Sequence, residues 1–171
     1  MQELGTSIHS APWYCLPVEK PETRGSEDHH LSQWLVARET MLRVMVVEDS
    51  DAVCGVWRHM IDKIEGLLLC GEYGHVMAAL VGIAKNQPDV VLLDIQLRGE
   101  CGAPVLQLAM ERYAHTKVIV VSNYADDIYR RHYINAGAYA FFDKSYELKA
   151  LRRTLEQLAM ARLNRGDSYA D

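Results

Sequence analysis

Charged and hydroxyl side chains follow several apolar segments of this chain at the point where each segment ends. Asp94 ends one such segment, and the pair Glu48 and Asp49 ends another. A carboxylate at the end of a buried strand is unfavourable unless something nearby uses its charge. Ser122 and Lys144 follow two further apolar segments. Three carboxylates, a hydroxyl and an ammonium are the groups needed to bind a divalent metal and a phosphoryl group.

Short apolar runs predict the strands that must position these side chains, because each run has the length of a strand and is bounded by turn residues. We place five strands, at about 43–48, 67–72, 90–94, 117–122 and 138–142. Helical periodicity fills the intervals between the strands and continues after the last one. We place five helices, at about 51–64, 75–86, 103–113, 126–136 and 146–163.

The first and last of these helices show the clearest amphipathic patterns. The predicted buried face of the first helix consists of Val53, Val56, Trp57, Met60, Ile61 and Ile64. The predicted buried face of the last helix consists of Leu148, Leu151, Leu155 and Leu158. Ser145 is predicted to cap the start of the last helix, and Gly66 to close the first. The predicted solvated basic face of the fourth helix consists of Arg130, Arg131 and His132.

The alternation of strands and helices predicts an α/β fold, in which helices cover both faces of a parallel sheet. Right-handed crossovers leave few topologies for such a chain. The compact solution is a doubly wound, flavodoxin-like (βα)5 fold, with a five-stranded parallel sheet of order 2-1-3-4-5. Its crevice lies at the carboxyl ends of strands 1 and 3, where the order reverses. The polar residues at the strand ends are therefore predicted to share one pocket.

A magnesium ion would relieve the repulsion between carboxylates that this fold places side by side. Mg²⁺ prefers oxygen ligands and is bound by one or two carboxylates together with waters. One oxygen of Asp94 can then bind the metal while the other attacks a phosphoryl donor. Lys144 and Ser122 are predicted to contact the phosphoryl oxygens. The product would be an acyl phosphate, which is labile and therefore suits a reversible signal.

Composition argues against several classes of protein. The chain has 171 residues, of which 49% are hydrophobic and 24% charged, as is typical of a globular chain with one domain. Its formal net charge of −5 argues against direct binding of nucleic acid or of an anionic membrane. No signal peptide and no apolar stretch of ~20 residues is recognised. We expect a cytoplasmic protein with reduced, mostly buried thiols at Cys15, Cys54, Cys70 and Cys101.

The first 41 residues differ from the remainder, because they contain prolines, glycines and serines without any sustained period. We predict an irregular or disordered N-terminal extension over 1–41, a folded domain over 42–163 and a C-terminal tail over 164–171. Residues 31–41 can form a short helix that carries Trp34. We favour a simple tail for this extension, and the alternative is a docking arm that uses Trp13, Tyr14 and Trp34.

Four motifs resemble those of the receiver domain of two-component response regulators. They are Val-Val-Glu-Asp-Ser at 46–50, Val-Val-Leu-Leu-Asp at 90–94 with Gly102 eight positions later, Val-Ile-Val-Val-Ser at 118–122, and Ala-Gly-Ala-Tyr-Ala-Phe-Phe-Asp-Lys at 136–144. Each motif alone is a weak signal, but all four in this order and at this spacing are specific. The resemblance covers roughly residues 42 to 160.

The resemblance implies a phosphorylation site and a metal site. It implies that Asp94 accepts a phosphoryl group from a histidine kinase or a histidine phosphotransfer protein. It also implies Mg²⁺ binding by Glu48, Asp49, Asp94 and the backbone carbonyl of Gln96. The only reactions implied are the phosphorylation and dephosphorylation of the chain itself, so we do not expect an enzyme that turns over other substrates.

The resemblance also implies a switch. Ser122 would turn toward the phosphoryl group, and Phe141 would rotate inward with it. This movement would change the face formed by the fourth helix, the fifth strand and the last helix, which a downstream protein reads. Gln96 and Tyr124 stand at the positions that influence how long the phosphoryl group survives.

Two other functions stay open at this point. Arg98 and Ser145 stand where the family often has proline, which keeps open a pseudo-receiver that acts as a scaffold without phosphorylation. A metal-dependent phosphohydrolase with Asp94 as nucleophile is the third reading. Such enzymes often carry a second Asp two residues after the nucleophile, where this chain has Gln96. We expect no membrane partner and no direct nucleic-acid partner, and we leave a homodimer open.

Overall fold

A computed structural model describes residues 40–166 of the chain. Predictions for residues 1–39 and 167–171, including the helix that carries Trp34, lie outside the described residues. Between residues 40 and 166, no helix is both long enough and apolar enough to cross a bilayer.

Strands and helices alternate along the described residues. The strands β1 to β7 are Leu42–Val47, Leu67–Tyr73, Val90–Leu93, Gln96–Leu97, Glu100–Cys101, Lys117–Ser122 and Ala140–Asp143. The helices α1 to α5 are Asp51–Asp62, Val76–Asn86, Ala103–Arg112, Asp127–Asn135 and Leu148–Gly166. The last helix differs most from its prediction, because it begins at residue 148 and continues to residue 166.

The main sheet has the predicted topology. Five parallel strands lie in the order β2-β1-β3-β6-β7. This is the doubly wound order 2-1-3-4-5, because β4 and β5 form a separate antiparallel hairpin. The hairpin was not predicted, since strands of two residues are too short to show a hydrophobic period. It lies between β3 and α3, next to the carboxyl end of the central strands.

Two hydrophobic cores hold the sheet, one on each face. Met45 and Val91 face the core beneath α2, α3 and α4. Their neighbours Val44 and Leu92 face the core beneath α1 and α5. All four side chains are buried, and burying one such side chain contributes about 1.5–3 kcal/mol. Successive strand residues thus point to opposite faces, as expected for a sheet covered by helices on both sides.

Helix α1 presents a narrower buried face than predicted. The Ser50 side chain caps its start, and Trp57 and Ile61 pack into the core. Val56 is 47% exposed, so its predicted burial was wrong. Val56 lies at the edge of the apolar face of the helix, where a small rotation about the helix axis changes a side chain from buried to exposed. Gly66 does not close the helix but lies beyond its end at φ 82°, where it turns the chain into β2.

The start of α5 also differs from its prediction. Ser145 is not the capping residue, because its amide and that of Tyr146 both donate to the Asp143 carboxylate. The carbonyl of Glu147 accepts a hydrogen bond from the Leu151 amide and so begins the helix. Asp143 therefore closes a turn between β7 and α5, and the leucines that follow remain on the buried face as predicted.

The described cysteines are free thiols with different exposure. Cys54 is buried, Cys70 is half-buried and Cys101 is exposed. Burial is the largest effect that raises the pKa of Cys54 and Cys70, in each case to about 11. Both thiols are therefore poor nucleophiles at neutral pH. Cys15 lies outside the described residues.

Candidate functional site

Main-chain pairing continues past the strand ends and brings the predicted site residues to one rim of the sheet. The Glu48 amide donates to the last carbonyl of β2, and the Asp94 amide donates to the last carbonyl of β1, each at 2.9 Å. The Lys144 amide donates to the carbonyl of Ser122 at 3.0 Å. The residues that leave these neighbouring strands therefore stay side by side, at the point where the strand order reverses.

Lys144 bridges two of the predicted acids. Its Nζ lies 2.6 Å from Oε2 of Glu48 and 2.6 Å from Oδ2 of Asp94. The three side chains are at most 9% exposed, so these ion pairs are shielded from solvent. Burial alone would lower the pKa of Lys144, but the hydrogen bonds to Asp94 and Glu48 outweigh it and raise the pKa above its usual value. Lys144 is therefore cationic at neutral pH.

Asp49 completes a group of three acids at this rim. One carboxylate oxygen from each of Glu48, Asp49 and Asp94 lies within 4.8 Å of the others. Among residues 40–166 no ion pair involves Asp49, so three acidic side chains share the single ammonium of Lys144. The acidic groups outnumber the basic group, and all of the donor atoms are oxygens. The site thus fits Mg²⁺ in both charge and ligand type.

Each of the three carboxylates also accepts a main-chain hydrogen bond. The pairs are Ser50 N–H to Glu48 Oε1 at 3.3 Å, Gln96 N–H to Asp94 Oδ1 at 3.2 Å, and Arg98 N–H to Asp49 Oδ2 at 3.1 Å. Amides that donate to a carboxylate fix its orientation. The acids are thus held by the backbone as well as by Lys144.

The peptide groups of Gln96 face away from its partner strand in the hairpin. Gln96 pairs with Cys101. The Gly102 amide donates to the Ile95 carbonyl at 2.9 Å, which makes Ile95 and Gly102 a hydrogen-bonded pair. Such pairs alternate with non-hydrogen-bonded ones in an antiparallel ladder, so Gln96 and Cys101 exchange no hydrogen bond. The hairpin therefore does not use the Gln96 carbonyl, which was predicted as a metal ligand.

An open cavity of about 280 Å³ lies at this rim. Six of the predicted site residues line it, namely Glu48, Asp49, Asp94, Gln96, Tyr124 and Lys144. Ser122 and Phe141 do not line it. Ser122 is fully buried, and its hydroxyl oxygen accepts a hydrogen bond from the Tyr124 amide at 3.0 Å. The Tyr124 ring is 53% exposed at the mouth of the cavity.

Phe141 lies behind the site, and the Arg130 side chain contacts both its ring and its carbonyl. Phe141 is 3% exposed and packs against Tyr133. The Arg130 guanidinium lies 5.1 Å from the centroid of the Phe141 ring, and its Nη1 donates to the Phe141 carbonyl at 2.6 Å. Nη2 donates to Glu147 Oε2, and this bond, with a second from the Asp143 amide, holds the pKa of Glu147 below its usual value. The predicted solvated role of Arg130 was wrong.

Sequence analysis missed several contributions to the site. Ser50 and Asn123 line the cavity but were not predicted as site residues. Ser50 had a usable signal, since a serine before an amphipathic run indicates a helix cap next to Glu48. Asn123 had none beyond its place after Ser122. The Arg98 amide could not be found from residue types, because every residue except proline carries the same main-chain donor.

The sheet order and this acidic, lysine-containing rim define a doubly wound α/β domain with its functional site at the switch point. The family model of the response regulator receiver domain matches residues 44–156. The chain therefore belongs to the response regulator receiver domain family of two-component signalling systems.

Individual relatives are similar in sequence, and a solved structure is similar in fold. The chain is 29% identical to the response regulator GacA of Pseudomonas aeruginosa over 118 residues, which cover 69% of this chain and 55% of that protein. It is 28% identical to the uncharacterized transcriptional regulatory protein YvfU of Bacillus subtilis over 111 residues, which cover 65% and 56%. The response regulator domain of Thermotoga maritima CheB superposes with a TM-score of 0.62 at 24% identity, covering 72% of this chain and 97% of that one. The chain spans about half the length of the curated relatives it matches.

Proposed function

We propose that this receiver domain accepts a phosphoryl group on Asp94. The observation that carries the proposal is the set of groups around this one carboxylate. Lys144 contacts one of its oxygens and the Gln96 amide the other, and oxygens of Glu48 and Asp49 lie within 4.8 Å. A carboxylate that only capped a helix or closed a loop would gain nothing from two further carboxylates beside it.

The proposed reaction transfers phosphorus from nitrogen to oxygen. A carboxylate oxygen of Asp94 attacks the phosphorus of a phosphohistidine on a histidine kinase or a histidine phosphotransfer protein. The O–P bond forms as the N–P bond breaks, and the imidazole nitrogen keeps the electron pair and takes a proton from water. Asp94 then carries an acyl phosphate. Lys144, whose ammonium is already 2.6 Å from this carboxylate, holds a phosphoryl oxygen and offsets its charge.

We assign the metal site to Glu48, Asp49, Asp94 and the carbonyl of Gln96. These residues would hold Mg²⁺, which would supply positive charge to offset that of the phosphoryl oxygens. Three observations support the assignment. The donor set contains only oxygen, three acidic side chains face a single ammonium, and the hairpin register leaves the Gln96 carbonyl outside the ladder.

We assign the switch to Ser122 and Phe141. The Ser122 oxygen accepts the Tyr124 amide, which leaves its own hydroxyl hydrogen to be donated to a phosphoryl oxygen. Phe141 is buried, with 3% of its surface exposed. Phosphorylation therefore acts by stabilising this packing of α4, β7 and α5 against an outward alternative. Gln96 and Tyr124, on the cavity wall, control the access of water to the acyl phosphate.

Partners follow from this chemistry. The phosphodonor is a histidine kinase or a histidine phosphotransfer protein in the cytoplasm, and a downstream protein or a second copy of the chain reads the face formed by α4, β7 and α5. The domain itself contacts no nucleic acid. Turnover as a phosphohydrolase is disfavoured, since Gln96 supplies no second carboxylate for acid–base catalysis two residues after Asp94.

Intact mass measurement tests the proposal. The chain is incubated with Mg²⁺ and a small acyl-phosphate donor, and Asp94→Asn serves as the matched control. We expect a gain of one phosphoryl group that requires Mg²⁺ and is absent in Asp94→Asn. Continued release of inorganic phosphate without a stable adduct would indicate a hydrolase. If no adduct forms and beryllofluoride does not bind in the presence of Mg²⁺, the chain is a scaffold that works without phosphorylation.

A further inference from the structure

The β4–β5 hairpin is anchored on several sides. Its turn residues Arg98 and Gly99 have φ values of 47° and 85°, as a two-residue turn of type I′ requires. Leu97 is 0% exposed and fixes the hairpin to the core. Oε2 of Glu100 accepts a hydrogen bond at 3.3 Å from the amide of Val76, the first residue of α2. The hairpin is therefore tied both to the core and to the start of a helix, where a carboxylate is favoured.

The turn of this hairpin contacts the one site carboxylate that Lys144 does not bridge. The Arg98 amide donates to Asp49 Oδ2 at 3.1 Å. In the part of the chain that the structure describes, no ion pair holds Asp49 in place. Since Asp49 is only half-buried, this hydrogen bond restrains a side chain that would otherwise rotate. It engages one carboxylate oxygen and leaves the other for a metal.

The conformation of the turn makes this donor available. A proline at position 98 would lack the N–H and would fix φ near −65°, so it could supply neither the hydrogen bond nor the positive φ. Arg98 and Gly99 supply both. The donor is the main chain, so the guanidinium of Arg98 is not part of the contact. Arg98, which stands where the family often has proline, thus adds a main-chain contact to the acidic site.

We propose that the β4–β5 hairpin is the positioning element of the metal site. The Arg98 amide orients Asp49 for a divalent cation, and Glu100, bound at the start of α2, holds the hairpin in place. This inference rests on the proposed function, because it takes the three acids as the Mg²⁺ site. A ligand that is ordered before binding loses less conformational freedom when the ion arrives. The affinity for Mg²⁺ thus depends on a hydrogen bond outside the set of metal ligands.

A pair of turn variants tests the proposal. Gly99→Val places a β-branched residue at φ 85° and disrupts the turn. Arg98→Asn creates Asn-Gly, the favoured type I′ pair, and so keeps the turn and the amide while removing the guanidinium. The dissociation constant for Mg²⁺ is measured with the full chain by ¹H–¹⁵N NMR titration, and thermal unfolding checks the fold. We expect about tenfold weaker binding in Gly99→Val and a change of less than about twofold in Arg98→Asn.

A third variant keeps the test decisive if Gly99→Val does not fold. Glu100→Ala removes the contact with α2 and leaves the turn residues intact, and we expect about threefold weaker binding of Mg²⁺. Unchanged dissociation constants in Glu100→Ala and in folded Gly99→Val would overturn the proposal. Equal weakening in Arg98→Asn and Gly99→Val would also overturn it, since the guanidinium would then be responsible. Absence of Mg²⁺ binding by the wild-type chain would instead refute the metal site of the proposed function.

Discussion

We predict that Gly82→Ala, a substitution in α2, destabilises the wild-type chain but stabilises a chain that lacks the Tyr73 ring. A Cβ atom at position 82 would lie 2.4 Å from Cε2 and Cζ of Tyr73, which is far inside van der Waals contact. The Tyr73 hydroxyl also accepts a hydrogen bond from Asn86 Nδ2 at 2.8 Å. The ring therefore packs against the backbone of α2, and moving it away from position 82 would disturb this hydrogen bond.

The expected magnitude follows from opposing effects. Alanine favours a helix over glycine by about 1 kcal/mol. Forcing the Tyr73 ring away costs about 1–3 kcal/mol in overpacking. The lost hydrogen bond from Asn86 adds about 1 kcal/mol. We therefore expect Gly82→Ala to lower the free energy of unfolding by about 1–3 kcal/mol. In a Tyr73→Ala background the clash is absent, so the same change should raise that free energy by up to about 1 kcal/mol.

Urea denaturation of the four chains measures this double-mutant cycle. The four are wild type, both single variants and the double variant, and the coupling between Tyr73 and Gly82 is the difference between the two effects of Gly82→Ala. A Gly82→Ala substitution that stabilises the wild-type chain would refute the reasoning. An equal loss in both backgrounds would also refute it, because the Tyr73 ring would then not be the obstacle.

Further predictions concern charge, thiol reactivity and the lifetime of the phosphoryl group. Lys144→Met should lower the free energy of unfolding by about 3–5 kcal/mol at neutral pH, because two buried acids lose their cation, and added Mg²⁺ should restore part of it. The free energy of unfolding of the wild-type chain should fall as the pH rises through the raised pKa of Lys144. The midpoint of urea unfolding of Lys144→Met should show no such fall at alkaline pH. The lowered pKa of Glu147 means that its ionised form stabilises the fold at pH values above the usual glutamate pKa. The free energy of unfolding should therefore fall as the pH falls through the lowered pKa. This fall should be smaller in Glu147→Gln. Maleimide should label Cys101 before the other described thiols, as peptide mass mapping will show; faster labelling of a buried thiol would contradict the assigned exposure. Tyr124→Ala should shorten the lifetime of the acyl phosphate several-fold in a mass-based decay assay, and an unchanged or longer lifetime would exclude shielding by this ring.

The sheet could be predicted from the sequence because its determinants are local and periodic. Each strand is a short apolar run, and the intervening helices repeat apolar residues every three or four positions. Right-handed crossovers then restrict the order of the strands. The hairpin could not be predicted in this way, because two-residue strands carry no period. Its signal is conformational, since Arg98 and Gly99 adopt positive φ, and an arginine at the first turn position does not indicate that value.

The candidate site was predictable where it depends on topology and not where it depends on individual side chains. Because the carboxyl ends of parallel strands meet at one edge of the sheet, the sequence predicts Asp94 and Lys144 at the same rim. In the structure, Nζ of Lys144 lies 2.6 Å from Oδ2 of Asp94. The contacts of Arg130 with the ring and the carbonyl of Phe141 were not predictable. A positive residue on a helix surface usually faces solvent, and only the position of the neighbouring strand brings Phe141 within its reach.

The ion pairs of Lys144 have a consequence for the order in which contacts form as the chain is synthesised and folds. They join residues that are 96 and 50 positions apart in the chain. Contacts at such separations form late, because long loops must close first. Strand β7, which precedes this lysine, lies at the edge of the sheet and is made after the other strands. A nascent chain therefore carries its acids before it carries their ammonium. Under the proposed function, competence for phosphoryl transfer therefore requires the last strand of the main sheet.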